Sequence, residues 1–368
     1  MKEPFTELED FIRRAEIGLT VIGPEKYLME GMADALQAKG HKVFGPVKAG
    51  AFLEGSKKYA KEIMKRAGVP TAGYEVFTDF ESARKWLADR KPPFVLKADG
   101  LAAGKGVVIA GDLDAAESAL KDFFLERKFG AAGSTVLIEE FLRGYEVSIL
   151  AFTDGKDVRL LPPSQDHKRV FDNDEGPNTG GMGVYSPVPG LTEAHLRIVR
   201  EKILLPTLAE LKTDGVHYCG ILYAGLMIDG DEVNVVEFNA RFGDPETECV
   251  LPLLESDLVE LFLSCAEGRL AGVDFRVAKK SSCTVIMASG GYPGDYAVGK
   301  KISGLESVKK SQVFHAGTSL STGGVVSAGG RVLAVTHVAD GLQEAISGTY
   351  ADVNRIRFEG AFFRSDIG

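Results

Sequence analysis

The sequence predicts an α/β and α+β protein of more than one domain, on three observations. Helix and strand signals alternate over the first fifty residues, as in a parallel sheet. A central stretch to about residue 275 combines long apolar strands with helices and a glycine hairpin. From about residue 276 short strands and glycine turns take over, followed by a helix near 340–352. A chain of 368 residues can supply two or three buried cores.

Composition narrows the function. Hydrophobic residues make up 45% and charged residues 26%, ordinary for a soluble globular protein, and the net charge is −9 without a dense basic run, so no nucleic-acid partner is expected. The longest apolar runs fall short of a membrane span, and no membrane partner is expected. The cysteines, Cys219, Cys249, Cys265 and Cys283, lie far apart without C-x-x-C spacing. That excludes a disulfide framework or a cysteine zinc site and fits a reducing, cytoplasmic compartment. The oligomeric state is left open, a monomer included.

Thr6 and Glu9 are spaced as a capping box before the first helix. LTVI (19–22) is a short strand, a helix follows to about Lys39, Gly40 closes it, and KVFG (42–45) is the next strand. Two parallel strands cannot cover both faces of a sheet, so this domain reads as one that begins in its middle. In GSKKYAKEIMKRAGVP (55–70), Ser56 caps a helix carrying Ala60, Ile63, Met64 and Ala67 on one side, with Gly68 closing it. Lys57 and Lys58 sit in its first turn, against the helix dipole, which points to an anion opposite them.

FVLKADGLAAGKGVVIA (94–110) reads as strand, glycine loop, strand, with Lys97 on the first strand and Gly104, Lys105 and Gly106 in the loop. It is neither a P-loop nor a dinucleotide fingerprint, because no helix follows. A helix at 112–128 leads to two strands in TVLIEEFLRGYEVSILAF (135–152). Residues 163–190 form a long segment without a hydrophobic period, with Asp166, His167, Lys168 and Arg169 at one end and Gly180, Gly181 and Gly183 at the other; such loops tend to be functional. Pro206 interrupts the helix begun at Thr192. Strand 218–229 turns at Asp229-Gly230 into VVEFNARFGDPE (235–246), and Ser256 starts a helix to Gly268.

That last strand carries the sharpest chemistry. Glu237 and Asn239 are two residues apart and share a face, offering a carboxylate and an amide oxygen of the kind Mg²⁺ accepts alongside substrate phosphates. Arg241 follows on the same parity with a fork suited to a carboxylate or phosphate.

The motifs LEGSK (53–57), KADGLAAGKGV (97–107), IEEFL (138–142), SQDHKR (164–169), GPNTGGMGVYSP (176–187), VEFNARFGDPET (236–247) and SGGYPGDY (289–296) resemble the ATP-grasp ligases of the phosphoribosylamine–glycine ligase family. The resemblance implies an ATP-grasp fold with three parts. These are an N-terminal parallel α/β (Rossmann-like) domain over 1–54, an ATP-grasp domain over 55–275 with its lid at about 70–145, and a small C-terminal α+β domain over 276–368. It also implies that the first domain is truncated by some fifty residues, since the family's opening glycine-rich loop is not found. The substrates implied are glycine, phosphoribosylamine and ATP, with Mg²⁺ or Mn²⁺. Lys57, Lys97, Gly104, Lys105 and Gly106 are implied at the ATP phosphates, Glu140 and Leu142 at adenine through backbone, Glu146 at the ribose, and Glu139 as a further ATP-binding residue. Glu237 and Asn239 are implied as metal ligands. Gly23, Pro24, Glu25, Asp166, Lys168, Asn178, Arg241 and Asp244 are implied at the other substrates, with Arg241 and Lys97 as the catalytic pair. A non-catalytic or partner-dependent nucleotide-binding fragment is the alternative.

Overall fold

The computed structural model describes residues 5–100 and 106–368. The N-terminal segment runs α1 (Thr6–Arg14), β1 (Thr20–Val21), α2 (Glu25–Met29), α3 (Met32–Ala38), β2 (Val43–Phe44) and α4 (Lys48–Gly55). β1 and β2 pair in parallel, Thr20 against Val43. Two expectations change here. Phe5, at φ +65°, precedes α1 and no side chain caps that helix, so Thr6 is its first residue and not its cap. The single helix expected to reach Lys39 is two, because Gly31 lies between them at φ +83°, a left-handed backbone that a helix interior excludes.

α5 (Lys57–Ala67) begins and ends as expected, with Ser56 Oγ accepting from the Tyr59 amide and Gly68 closing it at φ +65°. A four-stranded antiparallel sheet follows, order β3-β6-β4-β5, from β3 (Tyr74–Phe77), β4 (Phe94–Ala98), β5 (Val107–Ala110) and β6 (Val136–Glu140). Helices α6 (Phe80–Ala88) and α7 (Leu113–Leu120) cover one face; the helix expected to 128 continues past α7 only as a π turn, Lys121–Leu125. Alternation along β4 buries Phe94, Leu96 and Ala98 under those helices and turns Lys97 to the other face. This sheet fills the stretch that the resemblance assigns to the lid.

The second sheet, order β14-β13-β7-β8, comprises β7 (Tyr145–Thr153), β8 (Val158–Leu160), β13 (Gly220–Asp229) and β14 (Glu232–Asn239). Val147, Ile149, Leu222 and Ala224 pack on one face, and Leu150, Phe152, Ile221 and Tyr223 on the other. Burial on both faces is why β7 and β13 are apolar almost throughout. The two strands expected in 135–152 thus belong to different sheets, and residues 141–144 cross between them.

The segment 163–190 is not a plain loop. It holds β9 (Gln165–Asp166), β10 (Arg169–Phe171), β11 (Glu175–Asn178) and β12 (Gly183–Ser186). β10 and β11 form a hairpin, while β9 and β12 complete a sheet with β15 (Ser281–Ala288), β16 (Gln312–His315) and a long strand at Arg331–Ala339, in the order β16, Arg331–Ala339, β15, β12, β9. Pro206 restarts the helix as expected: α8 (Glu193–Ile198) gives way to a π segment and then α9 (Leu205–Thr213). After α10 (Glu246–Val250), α11 (Leu258–Ala266) is capped by Asp257, whose side chain accepts from the Glu260 amide; Ser256 Oγ instead donates to Asp274 O. The last helix is α12 (Leu342–Val353). All four cysteines are free and buried, and among the described residues no helix is long and apolar enough to cross a membrane.

Candidate active site

The floor of the cleft between the two sheets is β14, and a β-bulge decides what it presents. Gly225 of β13 pairs with Glu237, but Leu226 pairs with Val235, so Val236 is an extra residue. Val233 and Val235 point into the core before the bulge, Phe238 and Ala240 after it. Without the bulge, strict alternation from Val235 would bury Glu237. With it, Glu237 and Asn239 share the cleft face, and the Val236 carbonyl accepts from Lys97 Nζ at 3.2 Å.

Glu237 is surrounded by cations from four separate segments. Burial pushes its carboxyl up, but Lys168, Lys97, Lys57 and Arg241 together hold it below the usual carboxylate value. Burial conversely draws Lys57 below an ordinary lysine, with Glu237 opposing. Lys168 pairs with Glu146 at 2.7 Å, and although burial works against its charge, Glu146, Glu237 and Asp166 raise it above an ordinary lysine. Arg241 reaches Glu54 at 2.8 Å and lies 3.7 Å from Glu25 at the start of α2, directly after Gly23 and Pro24. Glu54 also accepts from the Ala240 amide at 2.8 Å.

The anion expected opposite Lys57 and Lys58 is in part the protein's own. Asp99 accepts from Ser56 Oγ at 3.0 Å and from the Lys58 amide at 3.1 Å, taking up the N-terminus of α5, while Lys57 Nζ donates to Gly100 O at 3.3 Å. Glu139, buried, lies 2.9 Å from Lys97 and 3.2 Å from Lys61. The Glu140 amide donates to Gly73 O at 2.9 Å, so it is engaged inside the lid. Gly106 is buried at the head of β5; Gly104 and Lys105 lie outside the described residues.

At the far end of the cleft, burial and then Glu246 raise the Asp166 carboxyl well above its ordinary value. Glu246 accepts from Tyr223 at 2.5 Å and from Ser148 at 3.2 Å. Asp244 is held by Arg331, 3.0 Å to its carboxylate and 2.8 Å to its carbonyl, and the same guanidinium nitrogen donates to Gly180 O at 3.0 Å. Asn178 is exposed at the end of β11, and among the described residues its side chain makes no hydrogen bond into the cleft. Glu237, Lys57, Lys97, Lys168 and Arg241 are therefore brought together, with Glu25 and Glu146 at the margins through their ion pairs.

Three family models match consecutive stretches of this arrangement. The phosphoribosylglycinamide synthetase N domain matches residues 1–54, its ATP-grasp (A) domain 55–247 and its C domain 282–368. The chain belongs to the phosphoribosylglycinamide synthetase family.

Among relatives of this synthetase family, the phosphoribosylamine–glycine ligase of Allochromatium vinosum is 50% identical over 98% of this chain and 85% of its own. That of Halalkalibacterium halodurans is 47% identical over 98% and 84%. The crystal structure of the Thermotoga maritima phosphoribosylamine–glycine ligase superposes with a TM-score of 0.82 at 36% identity, over 89% of this chain and 82% of that one. The biotin carboxylase domain of Hydrogenobacter thermophilus 2-oxoglutarate carboxylase, seen with MgADP and bicarbonate, shares the ATP-grasp fold at a TM-score of 0.72 and 19% identity, over 97% and 78%. The synthetase N-domain model matches residues 1–54, the stretch read from the sequence as the first domain. Sequence reasoning also missed several residues that shape the site of this synthetase-family chain: Lys61, Glu54, Tyr223, Glu246 and Arg331. Only Lys61 carried a signal, a charge set within the otherwise apolar stripe Ala60, Ile63, Met64 of α5.

Proposed function

We propose that this chain joins glycine to phosphoribosylamine at the expense of ATP, giving glycinamide ribonucleotide, ADP and phosphate. The observation that carries the reading is the convergence on Glu237 of Lys57, Lys97, Lys168 and Arg241 from four separate segments of the chain. Cations gathered at one carboxylate, three of them held in place by acids of their own (Glu139, Glu146 and Glu54), suit a polyanion that enters with its own counter-ion. Lys57 and Lys97 neutralise the ATP phosphates, with Gly104, Lys105 and Gly106 as further ATP-binding residues. Glu140 and Leu142 face adenine through their backbone, and Glu146 faces the ribose.

The residues on the floor fit a divalent cation, because Glu237 and Asn239 present hard oxygens on one face and the acid stays ionised there. Mg²⁺ or Mn²⁺ held by them would offset charge on the transferring phosphoryl group. The glycine carboxylate attacks the terminal phosphorus to give glycyl phosphate and ADP. The amine of phosphoribosylamine then forms the C–N bond at the acyl carbon as phosphate departs. No side-chain nucleophile is needed; what the protein supplies is alignment and charge. Arg241, fixed by Glu54, faces the acyl phosphate, while Asp166, Lys168, Asn178 and Asp244, with Gly23, Pro24 and Glu25, receive glycine and the sugar phosphate.

The test is product formation. Incubation with ATP, Mg²⁺, glycine and freshly generated phosphoribosylamine should yield glycinamide ribonucleotide by mass spectrometry, with one ADP per product. Nucleotide binding without product under those conditions would favour a non-catalytic nucleotide-binding role instead.

A further inference from the structure

We propose that Lys61 is a positioning residue for the nucleotide site, one that anchors the hinge of the lid and leaves Lys97 free to engage phosphate. The inference rests on the ATP-binding reading above and adds a residue that never reaches the nucleotide itself. Lys61 is 2% exposed on α5. Its ammonium group donates to Thr71 Oγ1 at 2.8 Å and to Ala72 O at 3.3 Å, and it lies 3.2 Å from Glu139 Oε2. Those three acceptors match its three N–H donors. The Tyr74 ring lies 5.4 Å below the same nitrogen.

The partners define a hinge. Residues 70–73 are the chain's only passage from α5 into β3 and the lid. Thr71 Oγ1 donates on to Val235 O at 2.6 Å, and the Val235 amide donates to Pro70 O at 2.8 Å, forming a parallel bridge just before the Val236 bulge. Lys61 therefore ties the passage into the lid, and the lid strand β6 through Glu139, to the strand that carries Glu237.

The charges give the second half of the case. Glu139 Oε2 is shared by Lys61 and Lys97, while Oε1 is buried without a partner among the described residues. One carboxylate between two ammonium groups leaves a surplus positive charge. Lys61 has spent its donors on the hinge, whereas Lys97 uses two, on Glu139 and Val236 O, and its third has no acceptor among the described residues. The surplus thus falls on the cleft side. Burial draws the Lys61 ammonium down to about 8 against the pull of Glu139, so it remains largely charged at neutral pH. Removing Lys61 would leave Glu139 to Lys97 alone and cancel the charge that faces the triphosphate.

The test is Lys61→Met in the full chain, with ATP and glycine titrated separately in the ligase assay and MgATP binding measured directly. KM for ATP and the dissociation constant of MgATP should both rise about tenfold, the effect of one charged hydrogen bond, while KM for glycine stays within about twofold. A role confined to stability would lower the melting temperature and leave the ATP constants of the folded enzyme unchanged, and that result overturns the proposal. Should Lys61→Met not fold, Thr71→Val keeps every charge and removes the hydroxyl linking Lys61 to β14. It should raise KM for ATP about threefold, and an unchanged value overturns the proposal equally. Wild-type protein that binds no ATP would instead sink the parent reading.

Discussion

At the scale of single residues, the site is built from charges whose partners keep them in a defined state. Asp99 serves as an anion at the start of α5 through Ser56 Oγ and the Lys58 amide. Asp99→Ala should therefore cost about 1–2 kcal/mol in chemical denaturation, the loss of a helix cap, and a change below a few tenths would contradict this role. Glu248 works in the opposite sense. One of its oxygens is buried without a partner among the described residues, and burial, then Asp244, push its carboxyl up to about 7 from an ordinary 4.5. Folded protein then holds a proton that unfolded chain has released. The stability this group contributes is complete below about 4.5 and is lost as pH rises through about 7. Glu248→Gln should flatten that part of the profile between pH 5 and 8; an unaltered slope would remove Glu248 as its source. None of this was legible in the sequence, because which lysine or glutamate is buried, and against what, depends on segments far apart in the chain.

At the scale of elements, the sequence revealed what repeats locally and hid what does not. Ser56 and Gly68 bracket α5 as expected, because caps act over a few residues, and β4 pairs antiparallel with β5. The pairing of Glu237 with Asn239 on one face was also legible. The bulge that aims that face at the cleft was not, since nothing in VNVVEFN marks Val236 as the extra residue; only its register against β13 does. The same reason explains the 163–190 segment, whose two-residue β9 and four-residue β12 are too short to show a period; β12 takes its place against β15, and β9 against β12. Inserting one residue between Gly225 and Leu226 of β13 would give Val236 a partner, restore strict alternation along β14 and turn Glu237 toward the core. We expect a variant with activity below detection and stability lowered by several kcal/mol, the cost of an ill-paired buried charge. Wild-type turnover in the insertion variant would remove the bulge from the account.

For the whole molecule, three regions meet at one cleft. α2 and α4 of the first region supply Glu25 and Glu54 to Arg241, the lid supplies Lys97, and the C-terminal sheet reaches back through Arg331 to Asp244 and Gly180. The sequence made the C-terminal region look chemically silent, because a single arginine in GGRVLAVT has no motif to announce it. Arg331→Ala should loosen both loops and lower kcat/KM for glycine by about tenfold with the melting temperature down only a few degrees, since a single charged anchor is lost. Unchanged kinetics would confine Arg331 to domain packing. The central claim, a divalent cation and triphosphate seated on the floor formed by Glu237 and Asn239, is met most directly by calorimetric titration of ATP with and without Mg²⁺, in wild type and in Glu237→Gln. Wild type should bind MgATP at least about tenfold more tightly than free ATP, and Glu237→Gln should lose that difference while melting at the same temperature. Equal affinity with and without Mg²⁺ in wild type, or an undiminished preference in Glu237→Gln, would contradict it.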